Sequence, residues 1–437
     1  MLSVSIIMYK KIRVLALVSI CGISAVSAQT ENSPYSRYGI GDPLPSQNII
    51  NRGMGGFSAA YGDFQSVNFA NPASYSRFKA TILDVGLEVS SRTLRTTDPP
   101  RKFSAASPNI SYLLLGIPLS RKRDWGMVFG LRPISRISYK IERNGRLNSG
   151  SINDSTNTLF EGNGGAYEVF TGTGFGYKNF RVGFNVGYLF GSKDYSTRLT
   201  LVNDSVLYYR SNHETKANYG GIFLDGGIQY SFKIKKDTRI NLGAFGNLKQ
   251  TLNGTQDIVR ETFVPQENGP VRIDSVYEQK DVDGEVRYPA SYGFGVMIDK
   301  EARWMIGADF TQTNWMDYRF FGAKDFVQNS WKIHVGGQII PNALNGKNYW
   351  SRVAFRAGFN YGTDYVNVDG ELPTYTATFG MGLPMRPPAY TRQFAVINLA
   401  FEYGRRGDKN SLLRENFFRL ALGLNLSDVW FQKKKYY

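Results

Sequence analysis

Apolar and polar-or-small positions alternate strictly along this chain in blocks of roughly ten residues, the length a tilted strand needs to cross a bilayer. One pair of blocks shows the pattern plainly. Val169, Thr171, Thr173, Phe175 and Tyr177 alternate with Phe170, Gly172, Gly174 and Gly176; after Lys178 and Asn179 the phase flips to Phe180, Val182, Phe184, Val186, Tyr188 and Phe190. A flip across two residues marks a tight hairpin. The intervening Arg181, Gly183, Asn185 and Gly187 are too small or polar for a dry protein core. Near the C-terminus, Phe418, Leu420, Leu422, Leu424 and Leu426 face one way, with Arg419, Ala421, Gly423 and Asn425 opposite. The same rule predicts fourteen strands, near 81–91, 109–120, 124–142, 165–177, 180–196, 220–233, 238–253, 286–299, 302–317, 331–341, 350–361, 374–383, 392–404 and 415–428.

The connections sort by length. Short links fall near 121–123, 178–179, 234–237, 300–301, 342–349 and 384–391; long loops are expected at 92–108, 143–164, 197–219, 254–285, 318–330, 362–373 and 405–414. Such alternation is the mark of an outer-membrane barrel, with short periplasmic turns and long outer loops. Closure also pairs every backbone group, as hydrocarbon demands, and leaves no open sheet edge within it. The fold class predicted is all-β, a transmembrane antiparallel β-barrel of about 14 strands. Trp125, Tyr188, Tyr230, Trp304, Trp315, Trp350 and Trp430 lie at or near expected strand ends and are assigned to interfacial girdles.

The N-terminus sets the compartment. Lys10, Lys11 and Arg13 precede an apolar run from Val14 to about Ala25, and Val26, Ser27 and Ala28 form a small-residue cleavage site. Residues 1–28 therefore read as a cleaved signal peptide. The single cysteine, Cys21, lies inside it, and the bulky Ile20 before it does not suit lipoprotein acylation, so the mature chain holds no disulfide and no thiolate metal ligand. Formal charge is +16; removing the three signal cations, with no acid before Gln29, leaves +13. Lys and Arg sit in short clusters between apolar alternations ("SRKRD", "KIKKD", "QKKKYY"), which suits turns beside anionic headgroups and not a nucleic-acid footprint.

Residues 29–80 come before the first strand. They carry Gly39, Gly41, Gly53, Gly55, Gly56 and Gly62 in runs such as "RGMGGFSAA", together with Tyr35, Tyr38, Ile49, Ile50, Phe57, Phe64, Val67 and Phe69. Such a piece cannot make a core alone. Inside a lumen it packs as a hatch, with glycines allowing close backbone approach; a flexible periplasmic tail is the alternative, and the apolar content weighs against it. The expected layout is 1–28 signal, 29–80 hatch, 81–428 barrel and 429–437 a basic C-terminal tail.

From the Gly/Ala-rich stretch into Asn71, Pro72 and Ala73, the chain resembles the FadL/TodX-type outer-membrane transporters of hydrophobic compounds. Further matches follow in order: "YPASYGFGV", then Trp304, Asp309 and Trp315 in "WMIGADFTQTNW", then "FRAGFNYG" and "TFGMGLP". The resemblance implies a fourteen-stranded barrel with an N-terminal hatch, in the outer membrane of a Gram-negative bacterium. It makes Gly53, Gly55, Gly56, Asn71, Pro72 and Ala73 the junction of hatch and barrel. It also implies a hydrophobic small-molecule ligand leaving sideways where the third strand is kinked. Pro133, in "GLRPISRISYK", is placed to loosen pairing there, or else stands at a strand end above the membrane plane. The tail "LSDVWFQKKKYY" and the basic "EYGRRG" resemble instead the FadL-related branch that includes PorV, whose barrels are subunits of larger outer-membrane machines.

Two functions follow as expectations: passive uptake of a long-chain, fatty-acid-like molecule through the barrel, or service as a protein-binding subunit. An enzyme is not expected, since only His213 and His334 are available, with no helper placed beside either; nor is a nucleotide loop, because "GMGG" lacks a following Gly-Lys-Ser/Thr. No cofactor or metal is implied, and partners are outer-membrane lipid, a hydrophobic ligand or other proteins. The loop at 254–285 carries eight acidic residues, which suits protein contact as well as ligand capture.

Overall fold

In a computed structural model the chain is described over residues 33–96, 100–149, 152–202, 209–235, 237–266, 269–300, 303–342, 348–368, 370–385, 393–409, 411 and 413–428. The expected signal peptide at 1–28 and the expected tail at 429–437, with Trp430, lie outside these.

Fourteen antiparallel strands close on themselves. They are β1 (Thr81–Thr96), β2 (Lys102–Ser120), β3 (Trp125–Ser149), β4 (Ile152–Tyr177), β5 (Phe180–Val202), β6 (Arg210–Lys235), β7 (Thr238–Asn247 and Gln250–Gln266), β8 (Gly269–Tyr288 and Ser291–Lys300), β9 (Trp304–Thr313), β10 (Ser330–Ile339), β11 (Ala354–Thr363), β12 (Pro373–Pro384), β13 (Phe394–Arg406) and β14 (Leu413–Asp428). The cylinder shuts where β14 pairs with β1, from Leu413↔Thr96 to Asp428↔Thr81. Each window read from the alternation overlaps one of these strands. The phase also holds: on β5 Phe184 is 55% exposed while its neighbour Asn185 is 2% exposed, and on β14 Leu420 and Leu422 are exposed while Ala421 is buried. A continuous belt of exposed Leu, Val and Phe would be untenable in water, and in a bilayer it is the lipid-facing surface. Among the described residues no helix is long and apolar enough to cross a membrane.

Two expectations need correction. The stretches 92–108, 143–164, 197–219 and 254–285 are for the most part not loops; β1 pairs with β2 from Arg95↔Lys102 downward, β3 with β4 from Ser149↔Ile152, and β7 with β8 from Gln266↔Gly269. These strands run on past the apolar belt as upright hairpins. Amphipathic alternation vanishes there because water lies on both faces, whereas a backbone ladder needs no apolar side chain. Polar Thr, Asn and Ser therefore hid the strands. Trp315 leaves the girdle: it follows β9 in a short turn of 3-10 helix (Trp315–Asp317), is 5% exposed and packs on Tyr365 with ring centroids 4.8 Å apart. Trp125, Trp304 and Trp350 are exposed.

Candidate functional site

The site is the bore and what fills it. Residues 33–80 run through it, and their side chains are mostly buried against inward faces of the strands. Asn48 caps a single helical turn, Ile49–Arg52, its Oδ1 accepting from Asn51 N. Asn71 caps the 3-10 helix Pro72–Arg77 in the same way, accepting from Ala73 N. These caps matter because a segment this short must satisfy its backbone from side chains.

Gly53, Gly55 and Gly56 press on the opposite wall. Gly55 has φ +75° and Gly56 φ +91°, and a Cβ on Gly55 would meet Val335 O at 2.5 Å. The close approach is used: Gly55 N donates to Thr378 Oγ1 at 2.8 Å, and Gly55 O lies 2.8 Å from His334 Nδ1. His334 is thus a buried partner of this segment. Asn71 Nδ2 donates to Ala59 O at 2.7 Å and to Ile228 O and Ala244 O at 3.3 Å. Pro72 lies against Gly174 and Gly183, where added Cβ atoms would strike its carbonyl, and Ala73 is fully buried. The two residue groups therefore touch different walls, Gly53–Gly56 near β10 to β12 and Asn71–Ala73 near β4 to β7. Asp309 joins them to β9, its carboxylate accepting from Ser58 N and, at 2.7 Å, from Ala59 N.

Charge crosses the bore. Arg52 sits between Glu88 of β1 and Glu402 of β13, each at 2.5 Å, and Arg419 reaches Glu402 from β14 at 3.4 Å. Asp42 is held by Arg92 at 2.5 Å and Arg406 at 3.0 Å, with Glu415 beside both arginines at 3.6 and 3.5 Å. Burial opposes charge on Arg52, but Glu402 and Glu88 outweigh it and raise its pKa. Burial likewise pushes Asp42 up, and Arg92 and Arg406 more than reverse this, lowering it to about 2. Sequence reasoning did not find this network. Its trace was nonetheless there, in Glu88, Arg92, Glu402, Arg406, Glu415 and Arg419 on the non-lipid phase of three strands adjacent in the closed barrel.

The wall breaks between β2 and β3. β2 pairs with β3 only from Leu113↔Leu131 to Ser120↔Trp125, although β2 continues up to Lys102 and β3 to Ser149. Pro133 stands two residues past the last pair, at a register shift between Pro133 and Ser135 in the β3–β4 ladder. The slot above it is not empty. Asp42 and Pro43 pair antiparallel with Arg136 and Ser135, Leu44 N donates to Ile134 O at 3.0 Å, and Ser33 N donates to Ser138 O at 3.0 Å. Arg136 Nη1 spans to β2, donating to Ser107 Oγ at 2.7 Å and to Asn109 Oδ1. A cavity of about 350 Å³ remains behind Pro133, and its lining includes Arg92, Arg132, Arg406, Asp42, Glu402 and Glu415 beside Phe69 and Phe223. Among the described residues no group of three His, Cys, Asp or Glu is placed to hold a metal.

A protein-family model described as BamG matches residues 8–437. The toluene transporter TodX of P. putida superposes with a TM-score of 0.57 at 17% identity, covering 89% of this chain and 100% of its own. A Pseudomonas aeruginosa FadL homologue gives 0.57 at 13% identity, with 89% and 100% covered. The Ralstonia pickettii toluene transporter TbuX gives 0.53 at 13% identity, with 88% and 99% covered. Identities this low establish the shared FadL-type outer-membrane barrel fold. No curated protein sequence matches the chain.

Proposed function

The chain belongs to the BamG family, and from that premise we propose that it is an exported outer-membrane barrel, plugged by its own residues 29–80 as a hatch, that holds protein partners as a non-transporting subunit of a secretion or assembly complex. The observation that carries this reading is the buried charge across the bore. A path for hydrophobic molecules calls for apolar walls, whereas here Arg52, Glu88, Glu402, Asp42, Arg92 and Arg406 lock hatch to wall. Breaking one such pair leaves a buried charge uncompensated, at about 3–5 kcal/mol, so the hatch has reason to stay. The side slot is stitched by Ser33, Asp42, Pro43 and Leu44. Outside, the tip of the β7–β8 hairpin shows Val271, Ile273, Val276 (73% exposed) and Tyr277 to water, a patch that invites a protein surface.

A second reading is passive uptake of a hydrophobic, long-chain fatty-acid-like molecule, leaving sideways beside Pro133. The cavity behind Pro133 and the likeness to barrels titled toluene transporters favour it. One preparation separates the two. The chain, isolated from native outer membranes under mild detergent, is expected to bring proteins in fixed stoichiometry and no lipid-like ligand, and its liposomes are expected not to admit toluene or oleate. Uptake into liposomes by the isolated chain, without stoichiometric companions, would overturn the subunit reading.

A further inference from the structure

Among the described residues, upright outer edges that no strand covers include β3 above Ser138 and β8 above Val286. Exposed edges are ordinarily blunted. The β8 edge is: its hairpin carries three register shifts, and Asp281 sits at φ +53°. The β3 edge is not, since its pairing with β4 runs from Ser135 to Ser149 without a shift. Lower on that same edge, strand addition has already taken place, by this chain's own Asp42–Leu44 and Ser33.

The geometry points to the Ile141–Leu147 edge of β3 as a docking site for an extended, acidic segment of a partner protein, which adds a strand there and sets one apolar side chain into the crevice at its foot. Three observations carry this. Ser138 turns its N–H toward Ser36 Oγ and its C=O toward Ser33 N, so strand alternation aims the amides of Glu142, Asn144 and Arg146 out of the same edge. A cavity of about 370 Å³ opens beside Ile141, walled by Pro34, Tyr38, Val368, Leu372 and Leu413, which is room for an aromatic or leucine anchor. Ladder bonds supply affinity and a side-chain pocket supplies selectivity, the usual division in strand addition. Arg143 and Arg146 are exposed and have no carboxylate partner among the described residues, while Arg198 nearby is paired with Glu161. Arg143 and Arg146 against the single Glu142 leave Ile141–Leu147 net positive, and that balance selects an acidic occupant.

This inference rests on the partner-holding reading and is tested apart from it. The purified full chain in detergent is titrated with a synthetic eleven-residue peptide of alternating threonine and glutamate about a central leucine, and with its lysine counterpart. The glutamate peptide is expected to bind about tenfold more tightly and to slow hydrogen exchange at Glu142 and Asn144. Glu142→Pro removes an edge N–H without touching the β4 ladder and is expected to weaken binding about tenfold; Val368→Trp fills the crevice, leaves the ladder alone and is expected to do the same. Equal binding of both peptides, unchanged exchange, undiminished binding by both variants, or a dimer of the chain joined through this edge overturns the inference. Wild-type yields of co-purified partners with E142P overturn it while leaving the partner-holding reading in place. Peptide binding as expected by a chain that brings no partner from native membranes overturns that reading and leaves the site supported.

Discussion

Arg52 is buried between two carboxylates, so its removal tests the packing of residues 33–80 at a single point. Arg52→Ala leaves Glu88 buried without its ion-pair partner and Glu402 with only the longer contact to Arg419, and is expected to cost the docking of residues 33–80 about 3–5 kcal/mol. Limited proteolysis checks this: cleavage within 33–80 should quicken while the folded barrel keeps its heat-dependent gel migration. Gly55 is a second point. Gly55→Val combines a left-handed φ with a collision at Val335 O, and backbone strain alone costs about 1–3 kcal/mol; loss of hydrogen-exchange protection at Gly56, whose N–H donates to Asn51 O, would report it. Asp42 sets a pH window. Because Arg92 and Arg406 hold its pKa near 2, below the ordinary carboxylate value of about 3.9, its contribution is fully present above about pH 4 and fades as pH falls through 2. Asp63, pushed up by burial, works in the opposite sense. Exchange measured from pH 5 to pH 2 should show the segment loosening in wild type, and Asp42→Asn should start looser and lose that component of the slope.

Each strand depends on what lies on its two faces. Where lipid met one face and the bore the other, alternation made the strand legible, as at Phe180–Phe190 and Phe418–Leu426, and all fourteen barrel positions could be read this way. Where water met both faces the signal disappeared, and 143–164 read as a loop although Arg143–Ser149 pairs with Ile152–Thr158. The breaks that divide β7 at Leu248–Lys249 and β8 at Pro289–Ala290 were also invisible, since alternation records the facing of side chains and not the continuity of pairing. For the site, glycines and Asn71 marked the close contacts in sequence. The partners of Arg52 and Asp42 did not show, because ion pairs between residues hundreds of positions apart leave no local spacing. If the upper hairpins are independent of the belt, they can be trimmed. Replacing residues 257–281 with Asn-Gly joins Gln256 to its opposite number Val282 through a two-residue turn. Heat-dependent migration is expected to be unchanged and partner recovery to fall.

For the whole molecule, the proposed hatch role of residues 33–80 makes a prediction about conduction. Intact chains in planar bilayers are expected to pass little current, and chains lacking residues 33–80 to give steady, large openings; large currents from intact chains would contradict a locked bore. The join between β14 and β1 has a further consequence for biogenesis. It unites Thr81 with Asp428, so the cylinder exists only once its final strand has arrived, whereas residues 33–80, which pack inside it, precede every strand of the barrel in the chain. Met54, Phe57, Val67 and Phe69, all sealed from water in the finished molecule, emerge first and find their lodging last. Transit to the membrane therefore exposes a sticky leader that an escort must shield, and the time for which it must do so is set by how quickly the most distant pair of strands can meet.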